Sequence, residues 1–326
     1  MNILIVKTSS LGDVIHMLPA VTDAMQALPQ LRIDWLVEAS FGAIPAWHPA
    51  VDRVIPIAMR RWKKQWTACS TWQEIGVARA ALRQQTYDLV IDSQGLVKSA
   101  LWSRMASGAK VGYDSGSARE PLASWFYSRK FTVARQQHAI DRNRQLMAQA
   151  LGYALHDPSP DYGLQGLTTR LPPVGITLPP RSVIGLHGTS RADKLWPTEG
   201  WKALAQALAQ TQRKLVLPWG NDDERLRAEE IASSASNVTV LPRLGLDALA
   251  VLIDQSQAVV GVDTGLLHLA AALGKPGLAL YTATPPALTG AVSDRQAPAP
   301  LRNLSSPQEL QANTVIDALM TTLQSC

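Results

Sequence analysis

The sequence predicts an α/β protein made of two doubly wound, Rossmann-like domains that face each other across a ligand cleft. Three observations carry this. Short β-branched apolar runs alternate with helical periods along most of the chain, the pattern of parallel strands joined by crossover helices. The alternation breaks once, in a proline-rich stretch ending at Arg181. On both sides of that break, turns rich in glycine and hydroxyls follow strands, at the carboxyl edge where open α/β sheets bind ligands.

The first strand is Asn2-Ile-Leu-Ile-Val6, apolar enough to be buried on both faces. Its exit, Lys7-Thr-Ser-Ser-Leu-Gly12-Asp13, leads into a helix over about 12–28. Leu31–Val37 and Val54–Ile57 read as the next strands. Arg60-Arg-Trp-Lys-Lys-Gln-Trp66 interleaves four cations with two indoles. Such a cluster suits a solvated loop and equally a phosphate-bearing or membrane-surface ligand. An Ala-rich helix over 70–86 precedes a strand at Tyr87–Asp92, whose exit Ser93-Gln-Gly-Leu-Val-Lys98-Ser99 is a second polar turn. Ala118–Pro121 reads as another loop facing it, and a helix over 138–151 closes an N-terminal domain of residues 1–152.

Residues 153–181 have linker composition. The C-terminal domain, 182–326, starts with the strand Ser182–His187 and the loop Gly188-Thr-Ser-Arg-Ala-Asp-Lys194-Leu-Trp-Pro197, with Pro197 suited to the first turn of a helix. Strands at 214–217, 238–241, 258–262 and 277–281 follow, the last of these taken as the final strand. A helix near 307–324 ends the chain and is free to pack back on the N-terminal domain.

Composition narrows the partners. At 46% hydrophobic and 17% charged residues the chain is globular, and its 326 residues suffice for two cores. The net charge of +5 points to an anionic partner: a nucleotide, a phosphorylated substrate, a membrane surface or nucleic acid. The cations lie in loops at strand ends and not along one helix face, which argues against nucleic acid. Cys69 and Cys326 indicate neither a disulfide framework nor a zinc site, as expected in a reducing compartment. Lys7 and Asp13 interrupt what would otherwise be the apolar core of a signal peptide. The most apolar stretch, 258–274, contains Asp263 and His268, so strand-turn-helix is a better expectation than a membrane span.

Several loops can do chemistry. Asp13 stands at a helix start, and by spacing alone it reads first as a helix cap. Asp263-Thr264-Gly265 offers helix-start N–H groups to a diphosphate, and Thr264 adds a hydroxyl. Lys194 supplies mobile charge, and Glu224 can accept from a ribose or sugar diol or act as a helix N-terminal charge. His268 falls one turn into its helix, as a ligand contact or as a core histidine. The first turn lacks the GxGxxG spacing and the Gly-Lys-Ser/Thr of a phosphate loop, and GxSxG, HExxH and Asp-x-Asp are absent, which weakens dinucleotide, hydrolase and metal-dependent schemes.

Lys7–Asp13 with Leu18-Pro-Ala20, Asp92–Lys98, His187–Pro197 and Val262-Asp-Thr-Gly-Leu-Leu-His268 together resemble the bacterial ADP-heptose–lipopolysaccharide heptosyltransferases, over essentially the whole chain and in order. The likeness is strongest to the branch that adds the first heptose of the inner core. It implies a GT-B fold, with the acceptor, Kdo₂-lipid A, on the N-terminal domain and ADP-heptose on the C-terminal one. Asp13 then becomes the general base of an inverting transfer, and no cofactor is required, with Mg²⁺ dependence left open. Thr189, Ser190, Lys194, Glu224, Asp263, Thr264, Gly265 and His268 match donor-binding positions. Ser10, Arg60, Arg61, Lys63, Lys64, Lys98 and Arg119 are assigned to the acceptor, the cations mainly on charge. A peripheral position on the anionic cytoplasmic face of the inner membrane is implied. The alternatives are a sister enzyme adding a later heptose and a non-catalytic nucleotide-sugar binder. Gly188 and Ser190 depart from the Ala and Thr common in the family, and Tyr281–Pro286 departs enough that no site residue is assigned there.

Overall fold

The computed structural model describes residues 1–324; Cys326 lies outside the described residues. The chain divides into two units, Met1–Gly163 and Leu164–Cys326.

The first unit is a six-stranded parallel sheet in the order β3-β2-β1-β4-β5-β6. Its strands are β1 (Asn2–Val6), β2 (Arg32–Glu38), β3 (Val51–Ile57), β4 (Thr86–Asp92), β5 (Ser107–Tyr113) and β6 (Arg129–Phe131). Ile3, Leu4, Ile5 and Val6 of β1 are fully buried, as a central strand covered by helices on both faces must be. The sequence does not reveal β5 and β6. The helix expected over 12–28 is two helices, Leu11–Ile15 and Leu18–Ala27. Pro19 explains the break, because it has no N–H to donate and its ring clashes with the carbonyl one turn back.

The second unit repeats the arrangement in the order β12-β11-β10-β7-β8-β9. Its strands are β7 (Ser182–Leu186), β8 (Lys214–Leu217), β9 (Val238–Val240), β10 (Ala258–Val262), β11 (Gly277–Leu280) and β12 (Leu301–Leu304). β11 is thus not the last strand, since β12 pairs with it in parallel along the sheet edge. Pro197 is the N-cap of the helix Thr198–Gln210, one place before the expected first turn. The final helix, Ala312–Gln324, spends its apolar side within this unit, where Val315, Leu319 and Leu323 join the core of Trp196, Trp201 and the strand residues.

In both sheets the connections reverse direction beside the first strand, between β1 and β4 and between β7 and β10. These are topological switch points, where the loops leaving neighbouring strands diverge and open a crevice at the carboxyl edge. The four motif-bearing turns leave these four strands.

The unit boundary falls inside the expected linker. Gly152, at φ 78°, ends the helix Ala139–Leu151 in a left-handed cap. Arg144 then ties the following segment to the first unit, donating to the carbonyls of Asp157 at 2.6 Å and Pro158 at 3.0 Å while paired with Asp23. From Leu164 on the chain belongs to the second unit, where Leu164 and Leu167 are buried and Thr168 donates to Asp254 at 2.7 Å. Among the described residues no helix is long and apolar enough to cross a membrane.

Candidate active site

At the first switch point the exit of β1 is clamped to that of β4. Gln94 Oε1 accepts from the amides of Thr8 and Ser9 at 3.0 and 3.3 Å. Lys7 Nζ donates to the Ser93 carbonyl at 3.0 Å and to Asn143 Oδ1 at 3.3 Å. Burial holds the Lys7 ammonium below its ordinary pKa; the charges of Asp13 and Asp92 oppose this, and those of Arg142 and Arg119 add to it. Lys7 thus lies within electrostatic reach of Asp13 and Arg119. Local sequence gives no sign of the roles of Lys7 and Gln94, because their partners lie 85 or more residues away.

Asp13 is half-buried at the start of the helix Leu11–Ile15. Its Oδ2 accepts from both the amide of Ser10 at 2.7 Å and its hydroxyl at 2.9 Å. The helix-start capping expected from spacing is thus present, with Asp13 as the third residue of a capping box closed by Ser10. Ser10 is occupied in holding Asp13. Beneath them Asp92 is fully buried, accepting from Ser99, Tyr127 and the amides of Gln94 and Gly95. Burial raises its carboxyl pKa, and those four donors counteract the rise.

The loop at 118–121 does meet the β4 exit: Glu120 donates its amide to the Gly95 carbonyl at 2.9 Å and accepts from Val97 N at 2.7 Å. This sets the exposed Arg119 beside the exposed Lys98 at the start of the helix Val97–Ser103. The cluster at 60–66 is mostly a helix, Met59–Lys64, and not a loop. Trp62 is its buried side, against Trp102, with its indole N–H on Glu74 at 2.6 Å. Arg61 is held by the same carboxylate in a two-point pair at 2.7 and 2.9 Å, so its charge is already matched. Arg60, Lys63 and Lys64 are exposed, with Arg60 over the Phe41 ring.

At the second switch point Lys194 Nζ lies 2.6 Å from Asp263 Oδ2, and Thr189 Oγ1 donates to the Asp263 carbonyl at 2.9 Å. The loops leaving β7 and β10 are thereby joined. Thr264 is the extended N-cap of the helix Gly265–Ala272, so the first amides of that helix open beside Lys194. Ser190 is exposed next to Thr189, and His268 is buried one turn into the helix. Thr282 donates to the Asp193 carbonyl at 2.8 Å, which draws the unassigned 281–286 loop into the group.

Glu224, in the first turn of the helix Asp222–Ala232, folds back so that its Oε2 accepts from Gly220 N at 2.7 Å. It lies directly against Gly188, where a Cβ would come within 2.5 Å of its Cδ. Glycine at 188 therefore has a local reason in this chain. At the foot of the loop His187 is fully buried against Trp201, and burial, with Arg227 nearby, lowers its imidazole pKa to about 4. Among the described residues no group of three or more His, Cys, Asp or Glu is arranged to hold a metal ion.

Residues 76–317 match the model of glycosyltransferase family 9 (heptosyltransferase). The chain is 46% identical to lipopolysaccharide heptosyltransferase 1 of Escherichia coli strain K12 over 98% of its own length and 99% of that protein. It is 48% identical to the protein of the same name from Pseudomonas aeruginosa over 91% of its length and 82% of that protein. The structure of E. coli heptosyltransferase WaaC with ADP superposes with a TM-score of 0.90 at 42% identity, covering all of both chains. The same enzyme with ADP-2-deoxy-2-fluoro heptose gives 0.86 at 43% identity, covering 98% of each. A chain with two Rossmann-like sheets, polar loops at both switch points and these relatives belongs to glycosyltransferase family 9, the heptosyltransferases of GT-B fold.

Proposed function

We propose that the chain transfers L-glycero-D-manno-heptose from ADP-heptose to the Kdo of Kdo₂-lipid A, with inversion at the anomeric carbon and Asp13 as the general base. The observation that carries the base assignment is the Ser10 clamp. Both donated hydrogen bonds fall on Oδ2, which fixes the carboxylate and leaves Oδ1 to take a proton. The Kdo hydroxyl gives that proton to Asp13 as its oxygen bonds to the anomeric carbon. The carbon–oxygen bond to the diphosphate breaks on the opposite face, and ADP departs with the electron pair.

The second unit supplies the leaving-group half. Lys194, Ser190 and the amides at Thr264 and Gly265 meet the growing negative charge on the diphosphate, while Thr189 holds the Asp263 turn in place beside them. Glu224 accepts from the nucleotide ribose, and Asp263 and His268 border the sugar and diphosphate. A separate general acid is unnecessary, because a diphosphate held by cations and amides is already a good leaving group. In the first unit Arg60, Arg61, Lys63, Lys64, Lys98 and Arg119 face the anionic acceptor, Arg61 by sharing its charge with Glu74. Since that acceptor is a membrane lipid, peripheral attachment to the cytoplasmic face of the inner membrane belongs to the same proposal.

The test is incubation with ADP-heptose and Kdo₂-lipid A, following ADP release together with product mass, with and without Mg²⁺. Release of ADP matched by one added heptose is the expected result. Turnover only on an acceptor already carrying heptose would move the enzyme to a later step, and donor binding without turnover on either acceptor would favour a non-catalytic binder.

A further inference from the structure

The first unit exposes a second basic surface beside the Arg60–Lys64 helix, whose Trp62 packs on Trp102 of the helix Val97–Ser103. Leu101 is 48% exposed on the helix Val97–Ser103, and Leu122 and Trp125 are 53% and 76% exposed on the short 3₁₀ helix Pro121–Phe126. Residues three apart eclipse in a 3₁₀ helix, so Leu122 and Trp125 share one face. The two helices pack through Ala100, Ala123 and Tyr127, which brings their outward residues to one patch. Ala100, Ala123 and Tyr127 form the buried side of this pair, which leaves Leu101, Leu122 and Trp125 as an exposed apolar group.

The stretch that carries them is basic. Residues 97–130 contain six cations, Lys98, Arg104, Lys110, Arg119, Arg129 and Lys130, against the carboxylates Asp114 and Glu120. Both carboxylates are used internally, Glu120 on Val97 N and Asp114 on Ser117 and Thr132. Trp125 shares a concavity of about 360 Å³ with Arg104, Lys110 and Ser128. Lys110 Nζ donates to the carbonyls of Ala106 and Gly108, which leaves one of its three N–H donors for an anion in that concavity.

We infer that this patch is the surface by which the first unit docks on an anionic lipid bilayer, with Leu101, Leu122 and Trp125 entering the interface while Arg104 and Lys110 meet lipid phosphates. An indole and two leucines with Arg104 and Lys110 alongside match such an interface on both counts, apolar depth and surface charge. This rests on the proposal of a membrane-borne acceptor. Lys98, assigned to the acceptor, is one helical turn from Leu101, so a docked patch would present that site to the lipid from which the acceptor projects.

The test is sedimentation of the full chain with phosphatidylcholine vesicles, with and without phosphatidylglycerol. The wild type should bind the anionic vesicles, and more weakly as salt rises. The double variant Leu122→Ser/Trp125→Ala should bind about tenfold more weakly, and Arg104→Gln about fivefold more weakly with a shallower salt dependence. All should keep wild-type melting temperature, ADP affinity and turnover on a deacylated, water-soluble acceptor. Undiminished vesicle binding by the double variant would overturn the inference. So would loss of binding only in Trp66→Ala/Trp72→Ala, or a wild-type dimer that the double variant abolishes. If the wild type ignores all vesicles yet turns over the soluble acceptor, docking fails and heptosyl transfer stands.

Discussion

Lys194 Nζ and Asp263 Oδ2 stand 2.6 Å apart, joining the loops that leave β7 and β10. The cation assigned to the donor diphosphate is thus held at the switch point by a carboxylate before any ligand arrives. A prepositioned ammonium costs less ordering on binding than a free lysine would.

Lys194→Ala should therefore weaken ADP binding by about tenfold to a hundredfold, the loss of one charge-assisted hydrogen bond of about 1.5–3 kcal/mol. Titration calorimetry measures it directly. Unchanged ADP affinity would remove Lys194 from the donor site.

Gly188→Ala should act through Glu224. The added methyl would meet Glu224 Cδ at 2.5 Å and push the side chain off the amide of Gly220. ADP affinity should then fall by about as much in Gly188→Ala as in Glu224→Ala, and the double variant should be no worse than either single one. Additive losses in that cycle would mean that the two residues act separately.

His187 makes the stability of the second unit pH-dependent. Its imidazole titrates near 4 when folded, against an ordinary value of 6.5, so between these values the unfolded chain binds more protons. The stabilisation is complete above pH 6.5 and is lost as pH falls toward 4. The full span amounts to about 3 kcal/mol. Urea unfolding at neutral and acidic pH should show this slope in the wild type and a flatter one in His187→Phe. Equal slopes in the two proteins would assign the acid sensitivity to another group.

The parts of the fold legible in the sequence were those whose burial is two-sided. β1, β7 and β10 are continuous apolar runs because helices cover both of their faces, and a run of that kind announces itself. The missed strands lie toward the sheet edges and carry polar residues. Ser107–Tyr113 contains two glycines and a lysine, Arg129–Phe131 is two-thirds cationic, and Leu301–Leu304 has Arg302 and Asn303 at its centre. Such segments become strands only when a neighbour offers its ladder. The site divides in the same way. Motif residues such as Asp13, Thr264 and Gly265 show in local spacing, since helix starts have local signatures. The pairs Lys194–Asp263, Gln94–Ser9 and Thr282–Asp193 span long sequence distances, and no periodicity encodes them. The helix at 59–64 is hard to read because the charges of the cluster hide one buried indole, Trp62, whose partner Glu74 lies on the next helix.

The most direct test of the central claim is Asp13→Ala, assayed for turnover and ADP affinity on the same preparation. If Asp13 takes the acceptor proton, turnover should fall by about a hundredfold to ten-thousandfold while ADP binds as in the wild type. Turnover within a few fold of wild type would show that another group accepts the proton and that Asp13 only caps its helix.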